Sequence, residues 1–118
     1  MMNQNNLNIF ISGSSGFIGR HLKIKLKNQY KLHTPSKQKL NLNNFKKLKQ
    51  YLDLKKPKII IHLASSTKFI AKNNKAKTNQ IVNTLNTTKN LLNSINKECK
   101  LIIFFGSIEE YGKARYPF

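Results

Sequence analysis

The sequence predicts an α/β fold, a doubly wound parallel sheet of about five strands with helices on both faces. Three observations carry this. Short strand-like apolar runs alternate along the chain with segments of helical spacing, the order that builds a parallel sheet through right-handed crossovers. The two strongest runs, Lys58–Ser65 (KIIIHLAS) and Leu101–Phe105 (LIIFF), are nearly continuous in apolar residues, as in strands covered on both faces. A glycine-rich turn, Gly13-Ser14-Ser15-Gly16, stands between the first strand and the first helix. In such sheets a ligand crevice forms outside the carboxyl ends of the strands. The unusual residues of this chain fall in those loops.

Leu7–Ser12 (LNIFIS) reads as the first strand, and Phe17 to Gln29 as a helix with Ile18, Leu22 and Leu26 at four-residue spacing. Tyr30–Thr34 alternates and is stopped by Pro35, which gives a second strand. Lys39–Leu42 is a short extended stretch, after which Asn43 or Asn44 caps a helix with the apolar face Phe45, Leu48 and Leu52. Pro57 opens a third strand, Lys58–Leu63, leading into a polar loop. Ile81, Leu85, Thr88, Leu92 and Ile95 recur every three or four residues and mark a longer helix. Lys100–Phe105 is the last strand, ending at Gly106-Ser107.

The 118 residues suffice for one domain. A hydrophobic share of 39% excludes a disordered basic tail, and no apolar run approaches the roughly 18 residues of a membrane span. The N-terminus, MMNQNNLNIF, lacks the charged and apolar regions of a secretory signal. A single cysteine, Cys99, rules out an intrachain disulfide framework and suits a reducing, cytoplasmic setting. With 22 Lys+Arg against 4 Asp+Glu, the net charge is +18, the usual footprint of nucleic-acid binding. Yet only Arg20 and Arg115 supply the guanidinium fork that reads bases and phosphates. Asparagine is as conspicuous as lysine, which points to a compositional bias. The lysines sit at helical spacing, as on solvated faces. A basic nucleic-acid-binding module is therefore the alternative class, and no nucleic-acid or membrane partner is expected.

Gly13-Ser14-Ser15-Gly16-Phe17-Ile18-Gly19 places glycines three apart, after a strand and opening a helix. A turn this tight needs positions without a Cβ where backbone meets a pyrophosphate. The free N–H groups and the dipole of the helix start then hold the negative charge. Gly19, one turn inside, lets the helix pack closely on the sheet. No Gly-Lys-Ser/Thr follows, which disfavours a Walker-type loop. The context points to dinucleotide binding rather than a purely structural turn.

With these residues in hand, the sequence resembles the extended short-chain dehydrogenase/reductase family, the NAD(P)-dependent sugar-nucleotide epimerases, dehydratases and reductases. Ser12–Gly19 fits that family's variant of the fingerprint. Leu40-Asn41-Leu42 is similar to its Asp-Leu segment at the adenine, with Asn41 in place of the Asp. Ile61-His62-Leu63-Ala64-Ser65 is similar to its HLAA stretch, and Asn83-Thr84-Leu85-Asn86-Thr87 to its N-x-x-G-T helix, with Asn86 in place of Gly. Gly106–Gly112 resembles its S-S-x-x-x-Y-G block. The resemblance implies a Rossmann-type sheet. It implies cofactor contacts at Gly13, Ser15, Gly16, Phe17, Ile18, Gly19, Asn41, Leu42, Leu63, Ala64, Ser65 and Asn83.

The resemblance further implies that Ser107 hydrogen-bonds the sugar hydroxyl that loses its proton, and that Glu109 falls where dehydratases carry an acid. Residues 1–118 are expected to form one NAD(P)-binding domain, incomplete at its C-terminus. It would lack the last strands and the substrate domain, be inactive alone, and belong to an enzyme that takes a nucleotide sugar and allows a homodimer. The family's catalytic Tyr-x-x-x-Lys lies downstream of the Tyr-Gly block, where Tyr111 is followed four residues on by Arg115 instead. The stretch His33–Lys37 lacks the acid that grips a ribose 2′-hydroxyl in NAD users. Ser36 and Lys37 could meet a 2′-phosphate, so the cofactor is NAD or NADP with a tilt to NADP. His62 is expected to order its loop. No second ligand at metal spacing accompanies it, and Cys99 has no resolving partner.

Overall fold

Short apolar runs form four strands in the computed structural model, which describes residues 7–64 and 73–105, and the two central ones, at the first and third runs, are buried almost throughout. In chain order the elements are β1 (Asn8–Ser12), α1 (Phe17–Leu26), β2 (Lys31–His33), α2 (Phe45–Lys55), β3 (Ile59–His62), α3 (Asn74–Ser94) and β4 (Leu101–Phe104). The sheet order is β2-β1-β3-β4 and every pair is parallel. The chain thus runs outward from β1 to β2, then crosses back past β1 to β3 and on to β4. Right-handed crossovers in opposite directions must lie on opposite faces of the sheet.

The packing bears that geometry out. Ile9 and Ile11 of β1 and Ile61 of β3 face α1, where Leu22 and Leu26 cover them. Their neighbours Phe10 and Ile60 face the other way, onto Leu48 and Leu52 of α2 and Leu91 of α3. The reversal of direction falls between β1 and β3, so the connections that leave their paired carboxyl ends turn to opposite faces of the sheet and open a crevice there.

Several expectations shift in detail. Lys39–Leu42 is a turn and not an extended stretch: the N–H groups of Lys39 and Leu40 both donate to Ser36 O (3.0 and 2.9 Å). The turn tucks Leu40 and Leu42 into the core beneath α2 and α3, so their apolarity reflects burial rather than pairing. The first helix stops at Leu26, three residues before Gln29. Asn44 is the residue that caps α2, its Oδ1 accepting from Lys47 N (3.1 Å).

The largest correction concerns α3. Its apolar residues Ile81, Leu85 and Leu92, expected to face inward, are exposed, at 61%, 64% and 48%. The buried positions are Thr87, Leu91 and Ser94. Leu91 packs into the core beside Phe10 and Ile60, and the flanking hydroxyls of Thr87 and Ser94 are buried by donating back to Thr84 O (3.1 Å) and Asn90 O (2.6 Å) of their own helix. Apolar periodicity therefore tracked another face. Truncating Leu48, fully buried under α2, should cost about 2–5 kcal/mol, whereas Leu85→Ala should stay within about 0.5 kcal/mol. Urea unfolding of the two variants separates the buried face from the exposed one.

Candidate functional site

The crevice at the β1–β3 switch has a volume of about 1050 Å³ and draws its walls from four places. The first is the glycine turn. Gly13 has φ +73°, and a Cβ there would stand 2.7 Å from Ala64 N and 2.9 Å from Leu63 C. Gly19 is buried, and its Cβ would meet Gly13 O and come within 2.6 Å of Ser14 Cα. Both glycines are thus required by the packing of the chain on itself. Gly16 is different. Its φ is −74°, and its Cβ would meet only Gly13 O, at an ordinary 3.4 Å. It is exposed and stands as the N-cap of α1 with no side-chain cap bond. The first-turn N–H groups of a helix have no partner inside it, and α1 has no acid in its first turn. An anion is the natural complement of such an end.

The second wall is the end of β3. Ser12 and His62 are paired in register, and their side chains meet at 2.6 Å between Oγ and Nδ1. Ser12 Oγ also accepts the N–H groups of Leu63 and Ala64, each at 3.2 Å. The loop after β3 is therefore strapped onto the last residue of β1.

The third wall is the turn before α2, held by asparagines. Asn43 Nδ2 donates to Asn83 Oδ1 of α3 (2.7 Å), and Asn90 Nδ2 donates to Leu42 O (2.9 Å). Asn41 Oδ1 accepts from Asn43 N (2.9 Å), which shapes the turn and still leaves the oxygen a lone pair. The fourth wall is the polar face of α3, with Asn83, Thr84, Thr87 and Thr88, beside Phe104 and Phe105 at the end of β4.

Of the residues named from sequence, the crevice gathers Gly13, Ser15, Gly16, Phe17, Ile18, Gly19, Lys37, Asn41, Leu42, Leu63, Ala64 and Asn83. Ser36 is not among its lining residues: its carbonyl and hydroxyl oxygens serve the turn to Lys39 and Leu40. Ser65, Ser107 and Glu109, with the rest of the Gly106–Gly112 block, lie outside the described residues. The sequence reading passed over Ser12, Ser14, Thr84, Thr87 and Thr88 as lining residues. The hydroxyls at 84, 87 and 88 follow Asn83 at helical spacing, a polar stripe that apolar periodicity does not register. No carboxylate lines the crevice among the described residues.

A Tyr-x-x-x-Lys spacing does occur once, at Tyr51 and Lys55 inside α2, away from the crevice. Tyr51 packs on the rings of Phe10 (5.8 Å) and His33 (6.5 Å), with Lys55 Nζ 5.9 Å from its own ring centre. Burial pushes its hydroxyl above the ordinary 10.0, the direction opposite to an activated base. Burial likewise raises the Cys99 thiol, against a small opposing effect of its bond to Leu101 O.

The model of the NAD dependent epimerase/dehydratase family matches residues 9–117. The chain belongs to that family. Among solved structures, a GDP-mannoheptose C4 reductase from Campylobacter jejuni with NADP bound is similar to this member at 25% identity and a TM-score of 0.86. The match covers 98% of this chain and 35% of that one. A GDP-D-glycero-L-gluco-heptose synthase from C. jejuni, solved in the presence of NADPH, shares the fold at 24% identity and a TM-score of 0.77, covering 96% and 34%. A dTDP-4-dehydrorhamnose reductase from Bacillus anthracis in complex with NADP does so at 24% and 0.72, covering 81% and 35%. The chain thus spans about a third of the length of these solved family structures. No curated protein matches it. Among the described residues no helix is long and apolar enough to cross a membrane.

Two histidines of this family member set a pH dependence. Burial pushes His62 below its ordinary 6.5. His33 is also lowered, by burial first and then by the positive charges of Lys55 and Lys31, and it donates from Nε2 to Asn8 Oδ1 (2.7 Å). Below about pH 6.5 the unfolded chain takes up protons that the folded chain resists, so its stability falls with pH. The urea midpoint should be flat above about pH 7. It should decline as pH drops from 6.5 through the lowered folded values of these two side chains. His33→Gln should remove part of that decline.

Proposed function

We propose that the crevice binds a nicotinamide dinucleotide, and that the chain forms the NAD(P)-binding part of an enzyme that oxidises or reduces a nucleotide sugar. Gly16 carries this reading. Gly13 and Gly19 are explained by the fold, but Gly16 has ordinary backbone geometry and open space around it. The lack of a side chain there makes sense if a ligand approaches the backbone at the uncapped start of α1. A pyrophosphate is the group that fits those N–H donors, and the family match and the NADP-bound relatives support the same assignment.

When bound, the cofactor supplies hydride exchange with a sugar carbon. The chain's own residues would do the holding. Phe17 and Ile18 present backbone N–H groups to the diphosphate, while Gly16, whose own N–H donates to Gly13 O (3.1 Å), leaves the room for it to approach. Asn41 and Leu42 border the adenine, and Leu63, Ala64 and Ser65 border the ribose and phosphates. Asn83 holds the adenine-side turn through Asn43. NADP is favoured over NAD: no acid lines the described crevice to repel a 2′-phosphate, and Lys37 stands at its edge. Ser107 would orient the substrate hydroxyl, and Glu109 would serve as an acid toward the sugar.

Calorimetric titration with NADP⁺ tests the reading. Gly16→Ala should cost about 1 kcal/mol of stability or less, yet weaken NADP⁺ binding by about tenfold or more, roughly 1.4 kcal/mol. Equal affinity in the folded variant and the unaltered chain would overturn the assignment. Gly13→Ala should instead lose about 1–3 kcal/mol of stability through its positive φ and its contact with Ala64. Lys37→Ala should weaken NADP⁺ about fivefold, the weight of one exposed charged contact. Its NAD⁺ affinity should stay unchanged; an equal loss for both dinucleotides would remove Lys37 from the 2′-phosphate site.

A further inference from the structure

The Ser12–His62 contact forms the middle of a chain of hydrogen bonds that crosses the switch point from the glycine turn to α3. Ser12 and His62 are both buried, at 3% and 7% exposure, the final residues of β1 and β3. Beyond the 2.6 Å contact between them, His62 Nε2 lies 3.3 Å from Thr88 Oγ1 of α3, and the Phe104 ring stands edge-on to the imidazole at 5.6 Å.

The proton positions follow from counting. A serine hydroxyl has one hydrogen and two lone pairs. Both lone pairs of Ser12 Oγ are taken, by the N–H groups of Leu63 and Ala64. Its hydrogen therefore goes to His62 Nδ1, which must be unprotonated. The ring hydrogen then sits on Nε2 and is donated to Thr88 Oγ1. Every donor and acceptor in the relay has one assignment, and it requires a neutral imidazole.

Protonation breaks the count. With hydrogens on both ring nitrogens, Nδ1–H faces an oxygen whose lone pairs are already used. Leu63 N has a second acceptor, Ser12 O, at 3.1 Å. Ala64 N is thus the amide that must yield. That nitrogen is also the atom against which Gly13 packs, 2.7 Å from the position a Cβ would take. A displacement there reaches the glycine turn directly.

We propose that Ser12, His62 and Thr88 form a positioning relay that holds the two walls of the dinucleotide crevice in register, and that the relay is made only with His62 neutral. It deepens the dinucleotide reading and rests on it. Burial favours the neutral ring at neutral pH. Among the described residues, the groups facing it from β1, β4 and α3 are Ser12, Phe104 and Thr88, none of them charged. His62 here is a positioning residue: it acts on the cofactor through Ser12 and the loop after β3.

The test pairs NADP⁺ calorimetry with NMR of the 118-residue chain between pH 7.5 and 5.0. The Ala64 amide resonance should move with the His62 imidazole titration, and His62 should show the Nε2–H form at pH 7.5. NADP⁺ affinity should drop about five- to tenfold across that range. His62→Leu removes the acceptor and should bind weakly at every pH. His62→Asn offers Ser12 an amide oxygen that does not titrate, so it should recover most of the affinity that His62→Leu loses and show a flatter profile than the unaltered chain. The ligand's own titration and that of His33 are common to all three proteins and cancel in the comparison. An Ala64 amide indifferent to His62 protonation overturns the relay, as does a His62→Asn profile as steep as the unaltered one. Failure of the unaltered chain to bind NADP⁺ at pH 7.5 overturns the dinucleotide reading instead, and the Ala64 titration then decides whether the relay exists.

Discussion

The close approach of the turn after β1 to the loop after β3 is the constraint on which the rest of this molecule depends. Gly13 sits against Ala64 N with no room for a side chain, and Ser12 Oγ holds the Leu63 and Ala64 amides from the same strand end. The contact can form only if β1 and β3 are adjacent and parallel. That adjacency in turn requires α1 on one face of the sheet and α2 and α3 on the other. The crossovers that place the helices also bring the two loops together. The crevice is what remains between them.

How much of this was legible beforehand depended on which forces left a mark on residue type. Burial on both faces leaves continuous apolar runs, so β1 and β3 were readable; β4 carries the same kind of run although Leu101, Ile103 and Phe104 are exposed among the described residues. Steric exclusion leaves glycines, so Gly13, Gly16 and Gly19 were readable as a group. Their different reasons were not, because spacing cannot say which Cβ would strike backbone and which would meet open space. The turn at Lys39–Leu42 was misread because two buried leucines in a tight turn look the same in sequence as two leucines in a strand. On α3 the apolar stripe at Ile81, Leu85 and Leu92 was the visible signal, while the buried face carried Thr87, Leu91 and Ser94. Hydrogen-bond partnership between distant side chains, such as His62 with Ser12 and Thr88, leaves no local pattern at all.

The asparagines illustrate a related limit. Their abundance reads as compositional bias, and a bias can coexist with specific work. Asn44 and Asn73 cap α2 and α3 by accepting from Lys47 N and Ala76 N. Asn43, Asn83 and Asn90 tie the turn before α2 to α3, and Asn96 bridges Leu52 O and Glu98 N. Each of these positions needs a short side chain that can both donate and accept, or an acceptor oxygen two bonds from Cβ. Aspartate would serve the caps as well but could not donate at positions 43 and 90. A chain rich in asparagine can therefore build its turns and ties from the residue it has in excess.

The lysines divide in the same way between bulk effect and local effect. Seven of the twenty stand exposed on the helices, and one ion pair occurs among the described residues, Lys49–Asp53 at 2.7 Å on the surface of α2, worth about 0.3–0.5 kcal/mol. A net charge of +18 in 118 residues surrounds the molecule with a positive potential that draws any anion, whether dinucleotide, nucleotide sugar or nucleic acid. It raises encounter rates, weakens with salt, and distinguishes none of them. Discrimination falls to the crevice, whose described walls present backbone N–H groups, hydroxyls, amides and one lysine, with no carboxylate. Charge draws anions to this surface without distinction, and the one glycine that leaves open space beside the start of α1, Gly16, is where shape can discriminate.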